Sequence, residues 1–318
     1  MKKKFFLTVL TVACFLGAMI YTFMGIEPLD SVQYEELKRG KFFWLWDSPY
    51  GKLKTHYIKA GSGERHIFLI HGFRAHTYTW RHLVQPLADA GYHVWAIDLI
   101  GYGLSDKPEN VPYDIEFFIH QITAFMDAKH ISAAHLGGNS MGGGITLKMA
   151  LEHPEKVKSL MLICALGYPL KLPVYLAITR HMPHLWKPFL GPTMIKETLK
   201  YIVHKTENIH DEQIEAYYLP YRMPGGTNAT LATLKNYDNK KLYELCQRYS
   251  AISQPTLIIW GEQDVLIPID HFNKFQHDFP HATSVLLKEC GHIPQEEEPG
   301  KVIEVMKEFL LEVEDVDY

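Results

Sequence analysis

The sequence predicts an α/β fold: a mostly parallel central sheet with helices on both faces and a helical cap inserted late in the chain. Three observations predict it. Short apolar runs alternate with helix-like segments. A glycine-flanked serine sits where one such run gives way to a helix. The alternation then stops after Cys164 and resumes at Pro255. With 318 residues, 47 % of them apolar, the chain can build one large core.

The first segment, MKKKFFLTVLTVACFLGAMIYTFMGIEP, reads as an address. Lys2, Lys3 and Lys4 precede an uncharged stretch from Phe5 to Ile26. A bilayer-spanning helix needs about 20 apolar residues, so residues 1–26 read as a membrane anchor. The leading lysines favour a cytoplasmic N-terminus and place the catalytic part on the non-cytoplasmic side, although Lys38, Arg39 and Lys41 dilute that bias. No convincing cleavage site precedes Glu27, yet secretion after signal cleavage stays open. Thr11-Val12-Ala13-Cys14 only faintly resembles a lipoprotein box. Residues 27–52 read as a linker.

The folded unit is expected from 53 to 318. Strands are predicted at Leu53–Ala60, His66–Ile70, His93–Asp98, Ser132–Gly137, Val157–Cys164, Thr256–Trp260 and Ser284–Lys288. Helices are predicted at Tyr78–Ala90, Asp114–Lys129, Met141–His153 and Pro299–Val313. The cap falls at about 165–250. Its Tyr175, His181, His184, Trp186, Phe189, Tyr217, Tyr218 and Tyr221 are a mixture of cap core and pocket lining.

The chemistry begins at Gly138-Asn139-Ser140-Met141-Gly142, which matches G-x-S-x-G at a strand–turn–helix junction. Glycine is costly inside regular structure. Gly137, Gly138, Gly142, Gly143 and Gly144 therefore mark a turn too tight for side chains, with the Ser140 hydroxyl raised above the sheet. The helix that follows favours negative charge at its N-terminus. A nucleophilic serine needs a base, and the base needs an orienting acid. In this architecture they follow in the order Ser, Asp or Glu, His. Asp264 lies in the loop after TLIIW, and His292 in the loop after SVLLK. Both are carboxyl ends of strands, where open α/β sheets bind ligands. The purely local alternatives are a turn-forming aspartate and a loop histidine beside a glycine.

Taken in order, His71-Gly72-Phe73, Asp98–Ser105, Gly138–Gly143, Gly261–Pro268 and Gly291-His292 resemble the α/β-hydrolase superfamily, serine esterase and lipase type. HGFRAH, GNSMGG and the N-terminal segment are similar to membrane-anchored monoacylglycerol lipases. The resemblance runs from about Leu53 to the C-terminus and matches the cap only in position. It implies Ser140 as nucleophile, His292 as base and Asp264 as its orienter. It also implies an oxyanion hole from the backbone N–H groups of Phe73 and Met141. His71 reads as structural, and Asp98, Gly101, Gly103 and Ser105 as a scaffold turn. Glu296, Glu297 and Glu298 precede a helix and read as complements to its dipole.

The expected function is hydrolysis of a lipophilic or monoacylglycerol-like carboxylic ester through an acyl-enzyme. Partners are the small-molecule ester or lipid and the membrane. Ser140 stands where epoxide-opening and dehalogenating relatives carry aspartate, which counts against both. Three rivals remain: C–C bond hydrolysis of ring-cleavage products, acyl transfer to another alcohol, and a non-catalytic binding protein on the same fold. HGFRAHTYTW lacks the glycine-rich loop of the C–C hydrolases. No cofactor is implied. No HExxH or CxxC suggests a metal, and a net charge of -4 without a basic stretch in the folded part suggests no nucleic acid. Cys14, Cys164, Cys246 and Cys290 form no disulfide framework, although one pair among the last three stays open.

Overall fold

The computed structural model describes residues 28–172, 176, 179–180 and 191–316. Strands are β1 (Phe42–Ser48), β2 (Gly51–Ala60), β3 (His66–Ile70), β4 (His93–Ile97), β5 (Ala134–Asn139), β6 (Val157–Ile163), β7 (Thr256–Gly261) and β8 (Thr283–Leu287). The described helices are α1 (Ser31–Lys38), α2 (Val84–Asp89), α3 (Ile115–Ala128), α4 (Met141–Glu152), α5 (Pro192–Ile202), α6 (Asp211–Arg222), α7 (Gly226–Lys235), α8 (Asn239–Cys246), α9 (Asp270–Asp278), α10 (Pro294–Glu297) and α11 (Pro299–Val316).

The strands form one sheet in the order β1-β2-β4-β3-β5-β6-β7-β8. β1 to β2 and β2 to β4 are antiparallel, and all later pairings are parallel. Alternation along the buried strands feeds two cores. Phe68 and Ile70 face α3 and α4 with Phe118, Phe125 and Leu147, whereas Ile67 and Leu69 face α2 and α11 with Leu87, Met306 and Leu310. Each such fully buried side chain contributes about 1.5–3 kcal/mol. Asp114 caps α3 by accepting from the Phe117 N–H at 2.9 Å. Between β6 and β7 the described residues form α5 to α8, and a separate apolar cluster joins α5 and α6 to Ile293.

Two expectations are corrected. Residues 28–52 carry α1 and β1 rather than a linker. Phe42 stacks on Tyr57 and Trp44 packs edge-on against Phe125, so FFWLWDS extends the sheet. The helix expected over Tyr78–Ala90 is instead a 3-10 turn at Thr77–Trp80 followed by α2. His76 starts that turn by accepting from the Tyr78 N–H. The N-terminal anchor expectation lies outside the described residues. No helix among the described residues is long and apolar enough to cross a membrane.

Candidate active site

β5 ends at Asn139, α4 begins at Met141, and Ser140 between them has φ 55° and ψ -118°. Such a conformation costs a non-glycine residue about 1–3 kcal/mol and persists only where the surroundings hold it. Here the Ser140 N–H donates to Ile163 O at 3.1 Å, and its carbonyl accepts from Leu166 at 2.9 Å and Gly144 at 3.2 Å. A Cβ on Gly142 would lie 2.1 Å from Ile70 O, so only glycine lets α4 start this close to β3.

The Asp264 and His292 loops converge above the same sheet edge. His292 Nδ1 donates to Asp264 Oδ2 at 2.7 Å. Asp264 Oδ1 accepts from the Leu266 and Ile267 N–H groups at 2.8 and 2.9 Å, which aims the carboxylate. Both side chains are buried, at 4 % exposure for His292 and 0 % for Asp264. With Nδ1 holding the proton, Nε2 is the free acceptor of the neutral ring.

Two adjoining cavities meet at Ser140 and share Phe73, Leu176 and Leu266 in their walls. The larger, about 330 Å³, is lined by Phe118, Met141, Leu170, Leu234, Leu242 and Leu245 among others. The smaller, about 90 Å³, is lined by Arg74, Thr198, Tyr217, His292 and Ile293 among others. Met141, first residue of α4, and Phe73, in the loop after β3, thus flank the serine. The first N–H groups of a helix have no intrahelical partner. Of the cap residues singled out from sequence, Tyr217, Tyr218 and Tyr221 are buried in the cap cluster. Tyr175, His181, His184, Trp186 and Phe189 lie outside the described residues.

Neighbouring groups hold this frame. His71 Nδ1 donates to Gly72 O at 2.8 Å while its Nε2 accepts from the Leu99 N–H at 3.0 Å. Burial lowers its pKa to about 4, so it stays neutral and fixes the loop that carries Phe73. Asp98 accepts from the Thr77 and Leu104 N–H groups and from His56 Nδ1, each at 2.7 Å. Burial pushes its carboxyl up, but His56, His76 and His71 outweigh that and hold it below the usual range.

Some contributors carry no sequence signal. Asn139 Nδ2 donates to both Ile163 O and His292 O at 3.1 Å, tying the elbow to the histidine loop. The Cys164 thiol, its pKa pushed up by burial, lies behind the pair. Among the described residues, Cys164, Asp264 and His292 are the one group with ligand atoms close enough to share a metal ion, within 4.8 Å. The His–Asp edge of that group is already closed by the His292–Asp264 hydrogen bond. Cys164, Cys246 and Cys290 are all free thiols. The glutamate run is also more than a dipole complement: Glu296 accepts from Thr79 and Arg81, Glu297 from Gly291 and His204, and Glu298 from Lys205.

This fold and site define a hydrolase class, and the chain belongs to the alpha/beta hydrolase fold family, whose profile matches residues 65–189 and 206–299. Within it, the chain is similar to Lipase 1 of Psychrobacter immobilis, 28 % identical over 256 residues and 76 % of each chain. It is also similar to the 2-hydroxymuconate semialdehyde hydrolase of Pseudomonas sp. (strain CF600), 26 % identical over 82 % of this chain and 92 % of that one. A solved membrane phospholipase A, a bacterial virulence factor, superposes with TM-score 0.70 at 25 % identity, covering 99 % of both chains.

Proposed function

We propose that the protein is a serine hydrolase of lipophilic carboxylic esters. The observation that carries this reading is the buried Asp264–His292 pair opening onto the cavity that Ser140 also lines. In the reaction His292 Nε2 takes the Ser140 proton as Oγ attacks the ester carbonyl. Asp264 holds the ring and stabilises the imidazolium. The Phe73 and Met141 N–H groups receive the developing oxyanion. His292 then protonates the leaving alcohol, and water repeats the sequence on the acyl-enzyme.

Cavity shape suggests which half of the ester goes where. The leaving oxygen must reach His292, and only the smaller cavity is lined by it. The alcohol therefore occupies the smaller lobe and the acyl chain the larger, leucine-rich one. We also assign residues 1–26 as a membrane anchor with the catalytic part on the non-cytoplasmic side. The uncharged run from Phe5 to Ile26 and the similarity to a membrane phospholipase A over the full length support this.

One experiment tests both. Membrane and soluble fractions of cells expressing the full chain or Ser140→Ala are assayed on p-nitrophenyl esters of increasing acyl length. Activity in the membrane fraction that favours the longer acyl chains and drops by about 10⁴-fold or more in Ser140→Ala is expected. Hydrolysis that survives Ser140→Ala overturns the mechanism, and activity confined to the soluble fraction overturns the anchor. The similarity to a 2-hydroxymuconate semialdehyde hydrolase favours C–C hydrolysis as a second reading. Cleavage of a ring-fission product, with no ester turnover, selects it.

A further inference from the structure

The backbone around His292 is fastened to the cap at closely spaced points. The His292 N–H donates to the carbonyl of Ile202, last residue of α5, at 2.7 Å. One oxygen of Glu297 accepts from the Gly291 N–H at 2.9 Å, and the other accepts from the His204 N–H at 2.7 Å. A single carboxylate thus bridges the residue before the histidine and the residue two beyond α5. A Cβ on Gly291 would stand 2.4 Å from Ile202 O, so glycine is what lets the two backbones approach. Ile293 is buried in the cap's own apolar cluster with Ile195, Leu199 and Tyr217. On the core side the loop is held at Cys290, whose carbonyl accepts from the Gln263 N–H at 2.9 Å, while at His292 itself the core-side bonds come from side chains, Asp264 to the ring and Asn139 to the carbonyl.

We propose that Glu297 is a positioning residue for His292, and that its shared carboxylate makes the working placement of the imidazole depend on the seating of the cap. The inference rests on His292 being the base. Physically, two backbone N–H groups from separate elements point at one anion, and charge-assisted bonds of this kind are short and directional. Burial leaves the Glu297 pKa raised above the ordinary carboxylate value, and the His204 and Gly291 N–H groups offset part of that rise by bonding to the ionised form. Glutamine fills the same volume but offers one acceptor and one donor. Its NH₂ must face one of the two N–H groups, and that stitch opens. A base displaced by about 1 Å costs on the order of 100-fold in rate.

The test uses the full chain on an activated ester, with Glu297→Gln, Glu297→Asp, Glu304→Gln and Ser140→Ala in parallel. Glu304 is exposed on α11 and serves as the neutralised-glutamate control. Glu297→Gln is expected to lower kcat by about 10- to 100-fold with KM within about twofold. It should slow phosphonylation of Ser140 by a fluorophosphonate to the same extent and broaden the downfield His292 Nδ1–H resonance. Glu297→Asp keeps the charge and recovers part of the rate, and Glu304→Gln leaves kcat unchanged. If Glu297→Gln and Glu297→Asp both keep the parent kcat and resonance, and lose only thermal stability, the positioning role is overturned. Activity that survives Ser140→Ala overturns the underlying mechanism instead, so the two failures are distinct.

Discussion

Ser140 is held at a positive φ by a ring of backbone hydrogen bonds, and the space beside it is already spent. Gly142→Ala would drive a methyl into Ile70 O at the end of β3. Unfolding in urea should show a loss of about 3 kcal/mol, since overpacking a rigid site costs that much. Esterase activity should fall with it, because β3 leads directly into the Phe73 loop. This part of the site was legible in the sequence. A nucleophile elbow can be built in few ways, so its sterics are written as glycines at fixed offsets. Asp264 and His292 were legible for a related reason, since each follows a strand too apolar to mistake. Glu297 was not. Its partner His204 lies 93 residues away, and a glutamate before a helix has an ordinary local explanation.

At the scale of elements, α6 meets the core through the Glu296 carboxylate. Its side chain is 2 % exposed and accepts from Arg81 at 2.6 Å, Thr79 at 2.7 Å, Gln213 at 3.0 Å and the Tyr217 hydroxyl. Two of those donors belong to α6 and two to the turn after β3. Tyr217→Phe removes one charge-assisted bond and leaves the anion its other three partners. The expected cost is about 1.5–3 kcal/mol, read from chemical denaturation. The strands that were plain in the sequence, His66–Ile70 above all, are those buried on both faces. β1 was not plain, because an edge strand packed by aromatics on one side shows neither an even apolar run nor strict alternation. The segment from Tyr78 to Ala90 misled because helical spacing does not register the turn that His76 starts.

Across the whole molecule, buried histidines set the response to acid. Burial lowers His71 and His271 to about 4, and desolvation lowers His76 as well. Unfolded imidazoles titrate near 6.5, so between pH 6.5 and 4 the unfolded chain binds protons that the folded chain excludes. Stability is therefore complete above pH 6.5 and is lost as pH falls to 4. His71 alone accounts for about 3 kcal/mol of that loss. Asp98, held below the ordinary carboxylate range, extends the loss to still lower pH. Urea midpoints measured from pH 7 to pH 4 should fall steadily, and His71→Gln should fall less steeply.

The bond from Asn139 to the His292 carbonyl spans 153 residues of chain. Chains emerge from the ribosome N-terminus first, so Ser140, the nucleophile of the proposed mechanism, leaves long before its proposed base His292 exists. A nascent or prematurely terminated chain carries the complete G-x-S-x-G turn and cannot use it. On the proposed mechanism, lipid-cleaving power is withheld until β7, β8 and the loops beyond them have docked. A cell making this protein is exposed only to finished copies.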